Sequence, residues 1–206
     1  MLILGLVGGI ASGKSQVAEC LRDFGAVVLD ADRAGHAVLR EPEVLQALVA
    51  RWGSGILEPT GQISRRAVAK IVFGASGDGE RRFLEQVTHP RIESLLRDEL
   101  VRIKASSPLP PVVVIDAALL FEAGWDKLCD KILFVDAPRD VRLERAVARG
   151  WSTEQFAARE AVQIPPEEKR RRADIVIRNV RTLENLREVL RLTWRHRVSG
   201  DADDTD

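Results

Sequence analysis

The chain reads as an α/β protein: a parallel five-stranded sheet flanked by helices, with one helical insert at about residues 33–107 and a second helical segment at about residues 139–173. Three observations predict this. Short aliphatic runs alternate with helical patterns, as in strands joined by crossover helices. Four of the five runs lead into glycine or aspartate, so polar groups gather where parallel strands end. The long block after the second run is helical in pattern almost throughout, as an insertion between strands of one sheet must be.

Taken in order, Leu2–Val7 is a buried strand that runs into glycines. Lys14–Phe24 carries Val17, Ala18, Leu21 and Phe24 at helical spacing, and Gly25 closes that helix. Ala26–Leu29 is the second strand, ending at Asp30-Ala31-Asp32. In the helical block, Arg40-Glu41-Pro42 and Trp52-Gly53-Ser54-Gly55 are breaks. Ser64 is placed to cap a helix through Phe73, and Gly74–Gly79 is a loop. Glu80–Lys104 is a long helix with a kink or break expected at Pro90. Val112–Ile115 and Ile132–Val135 are strands ending at Asp116 and Asp136. Arg139–Arg149 and Thr153–Gln163 are helices, the second capped by Thr153 without a capping box, since Phe156 then falls at its third position. Ile175–Ile177 is the last strand, Leu183–Arg197 the closing helix, and Ser199–Asp206 an acidic tail expected to be disordered.

Composition excludes several classes. The chain has 206 residues, 31 basic and 31 acidic, so coating nucleic acid is not its task. Four aspartates (Asp201, Asp203, Asp204, Asp206) lie at the end, which leaves residues 1–200 four charges positive. That suits an anionic small ligand, or reflects arginine usage alone. Cys20 and Cys129 stand far apart with no metal-ligand spacing, so neither a disulfide framework nor a zinc site is expected. No apolar run reaches membrane-spanning length. The first residues lack a basic stretch and a cleavage site, and a cytoplasmic location is expected.

Gly8-Gly9-Ile10-Ala11-Ser12-Gly13-Lys14-Ser15 fits G-x-x-x-x-G-K-[ST], with a strand before it and a helix after it. Glycines let successive N–H groups face inward, and the helix start adds its positive end, so the loop is a phosphate site. Lys14 is suited to β- and γ-phosphate oxygens, and the Ser15 hydroxyl to Mg²⁺. The expected fold is therefore a P-loop NTPase.

Other residues carry two readings each. Asp30 and Asp32, if extended, point the same way and provide a base or a metal partner, or Asp32 caps a helix. Asp116 ends a Walker-B-like strand and either holds the metal shell or is a polar strand end. Arg139, Arg142, Arg145 and Arg149 line one helix face, solvated or part of a lid over a transferring phosphoryl group. Lys169–Arg172 reads as a solvated basic run. His89 alone reads as structural.

The ordered set resembles the dephospho-CoA kinase family. It comprises the loop Gly5–Ser15, Asp30-Ala31-Asp32, Gly61 and Arg65 with Val72-Phe73, and His89-Pro90. It continues with Leu119-Leu120-Phe121-Glu122, then Arg145 and Arg149, Arg159 and Gln163, Ala173-Asp174, and Asn179. The chain departs from the family's usual residues at Gln16, Trp52, Thr60, Ser64, Ala118 and Val180. The resemblance implies ATP and dephospho-CoA as substrates, with Mg²⁺, and transfer to the ribose 3′-hydroxyl. It implies Asp32 as base, with Lys14 and Arg145 stabilising the moving phosphoryl group. It implies ATP contacts from Gly8 to Gln16 and from Arg149 and Asn179, acceptor contacts from Asp32, Arg65, His89 and Leu119, and metal contacts from Ser15 and Asp116. The core is then residues 1–32, 108–138 and 174–198, with an acceptor-binding insert at 33–107 and a lid at 139–173. A monomer or weak homo-oligomer without nucleic-acid or membrane partners is expected. Two other functions share the loop: another small-molecule P-loop kinase, for a nucleoside, nucleotide or shikimate-like acceptor, and a nucleotide-dependent switch. The second lacks its guanine-reading N-K-x-D element, since the chain has no Asn-Lys pair.

Overall fold

The computed structural model describes residues 1–74, 77–180 and 182–194. They fall into two compact units, residues 1–30 with those from 101 onward, and residues 31–100. The expected acidic tail and the end of the closing helix lie outside the described residues.

The first unit is built on five parallel strands: β1 (Leu2–Gly8), β2 (Val27–Asp30), β3 (Val112–Asp116), β4 (Lys131–Asp136) and β5 (Ile175–Arg178), in the order β2-β3-β1-β4-β5. β1 and β3 are apolar without alternation because both faces of a parallel sheet are covered. On one face, Leu4, Leu6, Val114, Leu133 and Val135 pack with Val17 and Leu21 of α1 (Lys14–Asp23) and with Leu186 and Leu190 of α9 (Leu183–Thr193). On the other, Leu120 and Cys129 lie over Gly5. Cys20 is buried, and burial pushes the Cys129 thiol up to about 12. The strand order reverses across β1, with β3 on one side and β4 on the other. A doubly wound sheet binds ligand at the carboxyl end of such a strand, which here is Gly8. Three further helices complete this unit, α6 (Arg139–Ala148), α7 (Thr153–Ala161) and α8 (Pro166–Arg171).

The second unit holds α2 (Ala31–Val38), α3 (Pro42–Trp52), α4 (Arg65–Val72) and most of α5 (Gly77–Lys104). Inside it, Glu80 accepts from Arg51 Nε (3.0 Å) and Trp52 Nε1 (2.7 Å). The guanidinium bond, then the indole bond, hold the Glu80 carboxyl down at about 2.

Several expectations are corrected. β2 passes directly into α2, so Asp30 ends the strand while Asp32 lies in the first helical turn. The two carboxylates therefore do not share an extended backbone, and Asp32 is inside the helix rather than its cap. Its charge there complements the helix N-terminus. α5 begins at Gly77, within the expected loop, with Asp78 and Glu80 in its first turn. It also runs through Pro90 unbroken. Thr88, Ile92, Leu96 and Leu100 bury one stripe across the proline. Side-chain donors serve carbonyls beside it, Thr88 to Leu84 (2.8 Å) and Arg91 to Val87 (3.0 Å). Ser64 precedes α4 as expected, but its hydroxyl makes no capping bond. The cap of α7 is Ser152, not Thr153. That shift puts Gln155 at the third position, and a reciprocal capping box forms (Gln155 N to Ser152 Oγ 3.2 Å, Ser152 N to Gln155 Oε1 3.1 Å). α8 was not expected at all; Pro166 at its first turn supplies the preset φ that starts it.

Candidate active site

The loop after β1 has the geometry of an anion cradle. Ser12 N donates to Gly9 O (3.0 Å), closing a turn, and Gly13 opens α1 at φ 92. Only glycine suits that position, because its φ is left-handed and a Cβ would collide with the Asn179 amide. Ala11, at φ 59, is a non-glycine residue held in the same strained region.

Period two along β3 puts Asp116 on the face of Val112 and Val114, the face that packs against α1. α1 begins with Lys14, and the two meet as an ion pair between Lys14 Nζ and Asp116 Oδ1. Asp116 thus reaches the loop across 102 residues of sequence.

The three arginines of α6 and Arg149, which caps its end, do not behave alike. Arg145 donates one arm to Ser12 O (3.1 Å) and the other to Asn179 O (3.1 Å). Asn179 is buried and donates its amide to the same Ser12 carbonyl (2.8 Å). Two donors from distant elements therefore hold that carbonyl in place. Arg142 is only 4% exposed and pairs with Glu160 (2.7 Å), so the solvated-face reading fails for it. Arg149 is exposed at the end of α6. Gln16 is exposed on α1.

Lys169 corrects the reading of Lys169–Arg172 as a solvated run: it is 1% exposed. Its ammonium pairs with Glu122 (2.9 Å) and donates to Ala118 O (2.8 Å). Glu122 also accepts from Ile164 N (2.8 Å), which ties the segment carrying Leu119 to the stretch between α7 and α8. Burial lowers the Lys169 pKa, Glu122 opposes this, and the nearby charge of Lys14 adds to the lowering. No periodicity marked Lys169 or Glu160 in the sequence; Glu122 was visible only as the end of Leu119–Glu122.

In the second unit, Asp32 and His36 stand one turn apart on α2. Arg65 Nη1 lies 2.6 Å from His36 Nε2, so Arg65 joins the helix that carries Asp32. His89 is half-buried in α5, just before Pro90.

Among the described residues, no three His, Cys, Asp or Glu gather to hold a metal. A magnesium ion carried in on phosphates needs only one or two protein oxygens and keeps waters for the rest. Ser15 at the start of α1 and Asp116 beside it supply oxygen donors of that kind.

A phosphate loop at the switch point of a parallel sheet, with a lysine–aspartate pair and arginines around it, defines a P-loop kinase. The family model for dephospho-CoA kinase matches residues 2–185. Dephospho-CoA kinase of Thermus thermophilus is 42% identical over 202 residues, covering 97% of this chain and 93% of that one. The enzyme of Geobacter sulfurreducens is 41% identical over 199 residues, covering 96% and 99%. A solved Thermus thermophilus structure superposes with TM-score 0.77 at 38% identity, covering 95% of this chain and 97% of that one. Shikimate kinase of Acinetobacter baumannii, at 15% identity and TM-score 0.55 over 98% and 96%, shares the fold alone. The chain belongs to the dephospho-CoA kinase family, and its activity is ATP-dependent phosphorylation of dephospho-CoA in coenzyme A biosynthesis.

Proposed function

We propose that this chain transfers the γ-phosphoryl group of ATP to the ribose 3′-hydroxyl of dephospho-CoA, with the following division of labour. Gly8–Ser15, with Gln16 beside them, receive the phosphates of ATP on backbone N–H groups and the start of α1. Lys14 exchanges its Asp116 partner for phosphate oxygens. Asn179 and Arg145 hold the Ser12 carbonyl, and Arg145 with Arg149 adds positive charge where the phosphoryl group moves. Ser15 and Asp116 hold Mg²⁺, which when bound neutralises phosphate charge. Asp32 accepts the proton of the attacking hydroxyl. Arg65 and His89 of the helical unit bind the acceptor, and so does Leu119 of the first unit. Residues 139–173 act as a lid that excludes water, without which ATP is hydrolysed. The enzyme works in the cytoplasm as a monomer or weak homo-oligomer, without a nucleic-acid partner.

The observation that carries this reading is the Lys14–Asp116 pair at the phosphate loop. A cation and a carboxylate beside the loop are the groups that a triphosphate and its metal ion call for, which supports the reading.

The test is ADP formation from ATP and Mg²⁺ with dephospho-CoA, beside adenosine, AMP, pantetheine and shikimate. Phosphorus NMR locates the product phosphate. Turnover with dephospho-CoA alone, giving a 3′-phosphate, is expected; a product phosphorylated elsewhere overturns the assigned position. Asp32→Asn should lower turnover about 10²–10⁴-fold, the range of a positioned general base. Near-normal turnover in that variant would remove Asp32 as the base.

A further inference from the structure

Arg142 faces two ways. Toward the phosphate loop, its Nη1 lies 3.4 Å from the Ile10 carbonyl. The guanidinium rests so closely on Gly9 that a Cβ there would come within 3.1 Å of it. Toward α7, Nη1 lies 2.7 Å from Glu160 Oε1, an ion pair rather than a directed hydrogen bond, and the Phe156 ring is 5.6 Å away. The Nε is held by the Ala137 carbonyl (3.1 Å), just beyond β4. One planar, nearly immobile cation therefore touches both the loop and the helix.

Glu160 belongs to the same device. Arg139 reaches its other oxygen at 2.8 Å and also lies over Phe156. Burial resists ionisation of this carboxyl, but the two guanidiniums outweigh that and keep it charged, below the ordinary carboxylate range. Phe156 is fully buried beneath them. α7 is thus attached to α6 at one charged point and one apolar point, and the charged point is shared with the phosphate loop.

We infer that Arg142 is a positioning residue that transmits nucleotide occupancy of the phosphate loop to α7 through Glu160. Phosphates on Gly8–Ser15 fix the backbone at Gly9 and Ile10. The guanidinium against that backbone then loses its remaining freedom, and Glu160 and α7 lose theirs with it. This rests on the reading of the loop as the ATP site.

The experiment is hydrogen exchange across Thr153–Ala161, with and without a non-hydrolysable ATP analogue and Mg²⁺, alongside calorimetric measurement of analogue affinity. In the native protein the analogue should slow exchange in α7 at least about fivefold, the lower end of an ordinary site-to-site coupling. In Glu160→Gln the analogue should bind within about threefold of native affinity, yet leave α7 exchange unchanged. Should Glu160→Gln fail to fold, Arg142→Lys serves with the same readout, because an ammonium cannot span both partners as a guanidinium fork does. Equal slowing in native and variant proteins, faster exchange on binding, or no change in the native protein overturns the coupling. Failure of the native protein to bind the analogue overturns the ATP-site reading beneath it, a result the affinity measurement separates from the others.

Discussion

Lys169 occupies a place where an ammonium group has almost no water. Desolvating it is costly, and only a matched carboxylate and a good acceptor offset that. Glu122 and the Ala118 carbonyl are those partners. Removing one charge of such a pair strands the other, so Lys169→Met should destabilise the first unit by about 3–5 kcal/mol. Adding Glu122→Gln should restore much of the loss, since a neutral pair strands no charge. Urea unfolding of the two single variants and the double variant measures this. Additive losses would mean that the pair is not coupled. Lys14 belongs to the same scale. Its partner Asp116 lies next to the start of α1 because alternate residues of β3 face α1; the strand end was legible in the sequence, and the pairing with Lys14 was not. The burial of Lys169 was not: a lysine among arginines looks solvated until the turn that carries Ala118 and Glu122 meets it.

At the scale of elements, α7 is short and depends on its ends. Ser152 and Gln155 satisfy two backbone donors reciprocally. Ser152→Ala should therefore cost about 1 kcal/mol. It should speed amide exchange across Thr153–Ala161 by about fivefold, the equivalent of that loss. Exchange unchanged in the variant would show that Phe156 packing alone sustains the helix. The expected frame began one residue later because both Ser152 and Thr153 are good caps. Tertiary burial of Phe156 selected between them. A similar selection explains α5. Proline removes a donor and argues for a break, yet four buried residues in register on both sides of Pro90 hold one continuous helix. The sequence reads as a strand ending at Asp30-Ala31-Asp32 with the helical block beginning at about residue 33. The chain instead enters the helix at Ala31, and this moves Asp32 from an extended strand end to a helical first turn, one turn from the residue that meets Arg65.

For the whole molecule, ligand binding and folding are linked. A non-hydrolysable ATP analogue with Mg²⁺ at one hundred times its dissociation constant should stabilise the native state by about 2.7 kcal/mol. In a domain of this size that raises the melting midpoint by roughly 5–10 °C. Lys14→Ala should abolish most of the shift, and calorimetry with and without the analogue reads it. A shift that survives Lys14→Ala would place the nucleotide elsewhere.

The strands, the phosphate loop and the order of motifs that resemble dephospho-CoA kinase were determined by the sequence itself. Each depends on residues close together in the chain: aliphatic runs that can only be buried strands, glycines that alone fit the loop, and a lysine and serine at the start of the next helix. Which charges are buried was decided only by the tertiary structure. Arg142, Lys169, Glu122 and Glu160 look like ordinary surface ions in one dimension. They become partners because the fold sets α8 beside the turn that carries Glu122 and α7 beside α6, and a buried charge is stable only where the fold brings its opposite within reach.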